Sequence, residues 1–423
     1  MNERALAVAI FGVTYALIAS ERLPRTPVAL AGGLAMVALR ILDQEGAFAA
    51  IDFNVIFLLV GMMVIANTLG QTGAFKWVAI RAAKLAGGHP LRILILLSLA
   101  TALLSALLDN VTTVVLMVPV TLLVAATLEV SPVPYFIGEI LASNIGGTAT
   151  LIGDPPNIMI GSAADLDFVD FIEHIAPVII IILAASMALL ALLFRGHLHA
   201  GPELRRRILE LDESQAITDP RLLRISLAVL GLTIMGFLFH GPLGYEPASV
   251  ALAGATAILV LGRQDIHEAL RHVEWNTIFF FVGLFMVVGG VEEVGILEDI
   301  GQGMADAAGG SSLVASGLIL GLSGLASGIV DNIPYTAAMI PVVEEMGRQV
   351  PGAGNTLWWA LSLGACLGGN LTIIAAAANV LVVNLAERAG YRITFGQFLR
   401  YGALTTAISL AIAMPYLWLR YLL

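Results

Sequence analysis

The sequence predicts an all-α polytopic membrane protein built from two inverted-topology repeats, each with a re-entrant helical hairpin and a broken transmembrane helix. Three observations predict it. The 423 residues are 58% hydrophobic and only 12% charged, against an apolar share of about 45 to 50% in soluble domains. The same motifs then recur 222 positions apart: Leu108-Asp109-Asn110-Val111-Thr112 is answered by Val330-Asp331-Asn332-Ile333-Pro334, and Asn144-Ile145-Gly146-Gly147-Thr148 by Cys366-Leu367-Gly368-Gly369-Asn370. Finally, the basic residues sort to one side of a bilayer only if each half crosses it an odd number of times, which inverts the second half relative to the first.

The first apolar run, Ala5 to Ser20, starts near Met1 without a basic leader or a small-residue cleavage site, and reads as a retained helix rather than a signal peptide. The runs Val55 to Leu69, Leu91 to Leu108, Val178 to Phe194, Ile225 to Phe239, Thr277 to Val291 and Leu404 to Leu419 approach or reach the roughly 17 to 25 residues that span a bilayer as a helix. Arginine and lysine stay mainly on the cytoplasmic side. With Met1 outside, only Arg4, Arg40, Arg348 and Arg420 of the 21 basic residues fall on the outer face. That sorting requires residues 91–127 and 311–343 to enter and leave on one side, as hairpins with Asp109-Asn110 and Asp331-Asn332 at their tips.

The expected organisation is an N-terminal repeat over residues 1–195, with hairpin 91–127 and broken helix 135–164, then a cytoplasmic linker over 196–223. A C-terminal inverted repeat follows over 224–423, with hairpin 311–343 and broken helix 356–385. The chain is expected in the cytoplasmic (inner) membrane as a multi-pass protein, N-terminus outside and linker inside. The linker's Glu203, Arg205, Arg206, Arg207, Glu210, Asp212 and Glu213 read as a solvated face. Ala74 to Ala86 reads as an amphipathic helix along the cytoplasmic surface, and its acidic counterpart, Ile296 to Ala308, as one along the other. The net charge of -10 and the absence of a dense basic cluster argue against nucleic acid as a partner.

A membrane helix interrupted at Gly146-Gly147 or Gly368-Gly369 loses hydrogen bonds that lipid cannot replace, so each break must face protein or a wet cavity. Freed carbonyls there can hold a cation, and freed amides an anion or a hydroxyl oxygen. Asn144, Thr148, Thr150, Asn157, Asn370, Thr372 and Asn379 add donors and acceptors beside the breaks. The plainer reading is that the glycines only let helices approach; their recurrence in both halves favours a binding site. Asn110, Thr112, Thr113 and Asn332 complete the candidate set at the hairpin tips.

Asp109, Asp331 and Asp154 are the carboxylates expected at depth, where a charged aspartate costs at least about 2.5 to 3.5 kcal/mol on insertion scales. Burial favours the protonated acid and a nearby cation favours the carboxylate, so proton release and substrate loading exchange. Asp109 and Asp331 can also cap the second arm of each hairpin. Asp154 has Ala376 at its mirror position, and its Pro155-Pro156 suits the start of a half-helix, so capping and coupling are both open for it. Cys366, the single cysteine, rules out an internal disulfide or a multi-cysteine metal site. It could touch a soft metalloid or simply pack. Trp358 and Trp359 read as interfacial anchors, and His174, His197, His199, His240, His267 and His272 fall at loops or helix ends without paired ligand spacing.

The motifs LDNVTT (Leu108 to Thr113), SNIGGTATLIGDPPN (Ser143 to Asn157), VDNIPYTAAMIP (Val330 to Pro341) and GACLGGNLT (Gly364 to Thr372) resemble the ion transporter superfamily. That superfamily contains the arsenite efflux permeases (ArsB), the NhaD sodium/proton antiporters, the melanosomal P protein and, more distantly, the sodium/dicarboxylate symporters. In the symporter branch, Ser-Asn-Thr tips hold sodium and a substrate carboxylate. Asn110 and Asn332 keep the asparagine, but the added Asp109 and Asp331 would repel a dicarboxylate. The tips look most like the P protein branch.

The resemblance implies a secondary transporter with no cofactor, carrying a small inorganic substrate, metalloid or cation, together with protons. Its leading form is proton-coupled efflux of arsenite or antimonite, whose uncharged trihydroxide suits hydroxyl-bonding groups such as Asn110, Thr112, Asn332 and Asn370. The alternative is sodium/proton antiport with Na⁺ at the hairpin tips; an uncoupled ion channel and a dicarboxylate symporter rank below it. The symporter branch also implies a homodimer in the lipid bilayer. No nucleophile-base pair or phosphate-binding loop is visible, which argues against an enzyme and places any ATPase on a separate cytosolic subunit.

Overall fold

The computed structural model describes residues 3–20, 22–196 and 198–422. Met1 and His197 lie outside the described residues. The first half runs α1 (Glu3–Ser20), α2 (Arg25–Ala38), α3 (Gln44–Ala49), α4 (Phe53–Gln71), α5 (Ala74–Leu85), α6 (Pro90–Leu107), α7 (Asn110–Thr127), α8 (Val133–Thr148), α9 (Pro155–Ala164), α10 (Phe168–His174) and α11 (Ala176–Phe194). A connecting segment carries α12 (Pro202–Glu210). The second half runs α13 (Pro220–Leu243), α14 (Pro247–Gly262), α15 (Ile266–Arg271), α16 (Trp275–Glu293), α17 (Ile296–Ala308), α18 (Ser312–Ala326), α19 (Asn332–Gln349), α20 (Thr356–Gly368), α21 (Ala377–Arg388) and α22 (Phe395–Tyr421). The protein is all-helical and polytopic: eight helical stretches among the described residues are long and apolar enough to cross a membrane.

The 222-residue offset reappears in the helix boundaries. α4 and α16, and α7 and α19, match at both ends, while α14 and α15 start where α2 and α3 predict. Local chemistry sets these boundaries. Asp52 accepts from the amides of Asn54 and Val55 to start α4, and Asp43 and Ser311 cap α3 and α18. Pro90, Pro155 and Pro247 stand in the first turns of α6, α9 and α14, where the missing N–H loses nothing.

The halves interlock rather than sit side by side. α2 packs on α16 and α4 on α14, each pair drawing one helix from each half. Glycine permits the approach: a Cβ on Gly61 would lie 2.7 Å from the Ala251 carbonyl carbon, and one on Gly283 would overlap the backbone of Ala29, the mirror of Ala251.

The hairpins enter from opposite faces. Gly88, just before α6, abuts the backbone of Arg205 in the linker, and Glu129, just after α7, pairs with Arg207 of the linker. Both arms of the first hairpin therefore begin and end on the linker side. The second hairpin follows α17, whose start is held by Arg4 through Gly295 and Asp299 and whose Gly301 packs on Val342 of α19. Meanwhile the start of α16 lies on the linker side, since Asn67 near the end of α4 donates to the His272 carbonyl. α17, one full helix further along, thus occupies the opposite face.

The linker forms a strap on α5. Thr218 bonds the Thr72 and Gln71 carbonyls at 3.0 and 2.7 Å, and Glu213 accepts from Lys84 and, at 3.0 Å, from Arg81. Its mixed charge is thus partly spent on the protein rather than on water. The Lys84 hydrogen bond, followed by a backbone N–H and Arg81, holds the Glu213 carboxyl below the usual range. A lowered carboxyl contributes stability above its ordinary value and loses it as pH falls through the lowered one. Acidification through the carboxylate range should therefore expose residues 198–219 to limited proteolysis, and Glu213→Gln should show the same cleavage at neutral pH. If Glu213→Gln is cut no faster than wild type, this residue does not hold the strap.

Candidate functional site

Each hairpin tip is a helix start. Asp109 accepts from the Thr112 amide at 2.7 Å through Oδ1, while its Oδ2 is buried without a partner. Asp331 accepts from the Ile333 amide at 3.0 Å, and its Oδ2 pairs with Arg25 at 2.6 Å. Both aspartates cap, and each keeps a second oxygen for other work. Arg25 was not among the expected site residues. It opens α2 where the mirror residue is Pro247, stacks over Phe280 at 5.0 Å, and carries a positive charge to the tip of the opposite half. A basic residue in the first turn of an apolar helix, against the helix dipole, was the available signal.

The second break falls at Gly368-Gly369 as expected, and the first lies just past its glycine pair. α8 continues through Gly146-Gly147 to Thr148, and the unwound segment is 149–154; in the second half α20 stops at Gly368 and residues 369–376 unwind around a short 3-10 turn. The first glycine pair is a close-packing device: a Cβ on Gly146 would strike the Ala102 backbone and one on Gly147 the Asn110 side chain. Gly368 likewise abuts Gly324.

Several of the freed backbone groups are already paired, in two similar sets. Asn157 Nδ2 donates to the Thr148 and Thr150 carbonyls, both at 2.9 Å, and Asn379 Nδ2 to those of Gly369 and Thr372 at 2.7 and 3.0 Å. Thr150 donates to Ala106 and Thr372 to Gly328, while Ser105 donates to Ser143 and Ser327 to Ala365. These pairs tie each hairpin arm to its own broken helix. Thr148 Oγ1 bonds its own helix at Asn144 O. Asn157, Asn379, Thr148, Thr150 and Thr372 are therefore staples, not free ligands.

Asn144 and Cys366 occupy mirror positions, and each donates to the asparagine of the other half: Asn144 Nδ2 to Asn379 Oδ1 at 3.0 Å, Cys366 Sγ to Asn157 Oδ1 at 3.4 Å. Cys366 is 0% exposed, and its thiol faces Asp154 as well as this joint. Asn144 Nδ2 also reaches Asn370 Oδ1 at 3.0 Å. Asn144 Oδ1, Asn370 Nδ2 and Thr113 Oγ1 are buried and unpartnered. Trp359 is not an interfacial anchor: it is 1% exposed and packed on Phe171 and His174, because α10 covers it.

Asp154 does not cap α9; its side chain makes no bond to the helix amides. Only 2% exposed, it faces Asn332 Nδ2 at 3.5 Å from each oxygen. It lines a cavity of about 30 Å³ together with Asp109, Asn110, Asn332, Glu274, Thr277 and Arg25, room for about one or two water molecules. Tips from both halves thus meet around one carboxylate. Glu274 and Thr277, at the start of α16, were likewise not anticipated. Among the described residues no three His, Cys, Asp or Glu side chains converge as a metal-binding group.

The small cavity shares Arg25, Val111, Glu274, Thr277 and Ala377 with a vestibule of about 710 Å³ on the linker side, which reaches Asp331. Its mirror on the opposite side, about 440 Å³ around Asn54, Asp167, His240 and Glu246, stops at Leu58 and Leu151, and neither hairpin tip lines it.

Comparison with known proteins agrees with this architecture. Over 422 residues the chain is 47% identical to an uncharacterized transporter of Mycobacterium tuberculosis and to one of Mycobacterium bovis, with 98% of each chain covered. It is 33% identical over 502 positions to the P protein of Homo sapiens, covering 97% of this chain and 59% of that one. The crystal structure of the YdaH transporter of Alcanivorax borkumensis, titled as revealing an unusual topology, covers 99% of this chain with a TM-score of 0.62 at 15% identity, a likeness of fold alone. Residues 15–364 match the citrate transporter family, CitMHS, and the chain is a member of that family of membrane transporters, within the ion transporter superfamily that its motifs resemble.

Proposed function

We propose that this chain is a secondary active transporter of the cytoplasmic membrane, its linker in the cytoplasm, that exports a small inorganic solute in exchange for protons. The observation that carries the reading is Asp154: a buried acid with no capping duty, placed where both hairpin tips meet and next to the larger vestibule. An ionisable group inside a membrane protein without a structural partner marks a transport path. With the basic residues placed inside, the vestibule faces the cytoplasm, and its narrower mirror opens once the tips move, as alternating access requires.

The uncharged trihydroxide of arsenite or antimonite suits the vestibule, whose Asn276, Thr277, Asn384 and Arg25 can bond hydroxyl groups. Cys366 does not line the vestibule, so a substrate there is held through oxygen, not sulfur. Sodium/proton antiport is the second reading, favoured by the inner cavity, which has the size of a bare ion and is lined by Asp109, Asp154 and Glu274. Citrate fits poorly, because Asp109, Asp154, Asp331 and Glu274 surround Arg25, the cation among them.

The test is transport by purified protein in proteoliposomes given As(III), Sb(III), Na⁺ or citrate, with and without a pH gradient. Gradient-dependent accumulation of As(III) is expected. Accumulation of Na⁺ alone selects the second reading. Accumulation that ignores the gradient removes proton coupling, and flux that never runs uphill makes the chain a channel. A homodimer and a cytosolic ATPase subunit are further proposals, checked by mass determination in detergent and by whether the reconstituted chain needs ATP.

A further inference from the structure

A second buried acid lies away from the central cavity. Glu139, in the middle of α8, is 0% exposed; its Oε1 meets Thr121 Oγ1 of α7 at 2.5 Å and its Oε2 is buried without a partner. The positions one turn apart along the same face of α8, Tyr135 and Ser143, are also polar. Tyr135 bonds the Pro90 carbonyl at the linker-side end of the hairpin. Ser143 Oγ lies 3.0 Å from Ser105 Oγ and donates to Asn110 Oδ1 at the central cavity at 3.4 Å. An i, i+4 spacing puts neighbours on this stripe about 5 to 6 Å apart.

The second half carries the same helix at the same place, but the mirror residues are Leu357, Leu361 and Ala365. The fold therefore does not need polar groups here. A buried carboxyl with one hydrogen bond lowers stability relative to leucine, a cost that a role in transport would account for.

We propose that Glu139 carries a proton on an internal polar file joining the linker-side end of the first hairpin to the central cavity, so that protons leave by a path separate from the substrate vestibule. This rests on the proton-coupled reading above. The step moves only a proton: the acid at Asp154 becomes a carboxylate, the carboxylate at Glu139 becomes the acid, and Glu139 then releases the proton toward the linker side. No charged side chain faces Glu139 from the helices packed on α8. α7, α11 and α20 carry none; Arg92 of α6, Glu387 and Arg388 of α21, and Arg400 and Arg420 of α22 are all exposed near helix ends.

The test compares wild type, Glu139→Gln and Glu139→Leu, the last reproducing the mirror residue, in proteoliposomes and by infrared difference spectroscopy. Glu139→Gln should keep substrate counterflow but lose pH-driven accumulation, and should lose a carboxylic-acid carbonyl band that responds to pH on the linker side. Wild-type accumulation in Glu139→Gln, or a band unchanged in both variants, overturns the proposal. Should wild type itself show no pH-driven transport, the proton-coupled reading fails, and the infrared band alone decides whether Glu139 exchanges protons.

Discussion

Asp154→Asn should abolish pH-driven transport, down to the background of empty vesicles, while the protein folds and remains monodisperse in detergent. The contrast between Asp154 and the hairpin aspartates is the reason. Asp109 and Asp331 each spend one oxygen on a helix start, and Asp331 also holds Arg25, so their substitution mixes local packing with proton chemistry. Asp154 spends nothing on its helix. It is faced by Asn332 at 3.5 Å from each oxygen, by the Cys366 thiol and by Asn110, and an amide of the same shape can occupy that space. Replacing a buried acid that lacks a cation partner by a neutral isostere leaves stability unchanged or raised. The measurement is As(III) and Na⁺ uptake with an imposed pH gradient, alongside a thermal melt. Wild-type uptake in Asp154→Asn would remove this residue from the mechanism, and a collapsed melt would show that it is structural after all.

Asn379→Leu is expected to destabilise the protein by about 1 to 3 kcal/mol, since the buried Thr372 carbonyl loses its donor while the Gly369 carbonyl keeps Asn144 at 3.3 Å. Asn379 Nδ2 serves the Gly369 and Thr372 carbonyls at once, and its Oδ1 receives Asn144. Asn157→Leu strands both the Thr148 and Thr150 carbonyls and should cost about 2 to 6 kcal/mol, at roughly 1 to 3 kcal/mol each. Differential scanning fluorimetry of both variants in one detergent reads the effect. A loss well below 1 kcal/mol in both would mean that water reaches the breaks and the staples are dispensable. Asn144→Ala offers a graded control, because it removes one donor from Asn379 and leaves the backbone carbonyls served.

The repeat, the hairpins and the helix boundaries were legible because they follow from patterns that a linear reading detects: apolar run length, a capping aspartate, proline in a first turn, and one offset applied throughout. What escaped depends on which side chains meet across the chain. Gly146-Gly147 looks like a helix breaker in isolation, yet α8 passes through it because Ala102 demands a residue without a side chain. Asp154 before two prolines leaves capping and coupling both open, and only the fold shows the carboxylate turned to Asn332, a residue 178 positions away. Arg25 sorts as a cytoplasmic charge by the positive-inside rule, and only folding brings it to Asp331, 306 positions further on. Trp358 and Trp359 look like an interfacial pair, whereas α10 folds over Trp359. Long-range partners of polar residues are the information that periodicity does not contain.

The crossed pairing of α2 with α16 and α4 with α14 bears on how the molecule is made. Translation delivers the amino-terminal half first, and its glycine-lined surfaces at Gly33 and Gly61 have no counterpart until α14 and α16 emerge from the ribosome. A nascent chain stopped before that point is an unfinished object rather than a small transporter, with helices that only lipid or the insertion machinery can shelter. Two polypeptides divided within the linker and co-expressed should each be degraded alone and rescued together, because assembly is completed by the half that arrives last.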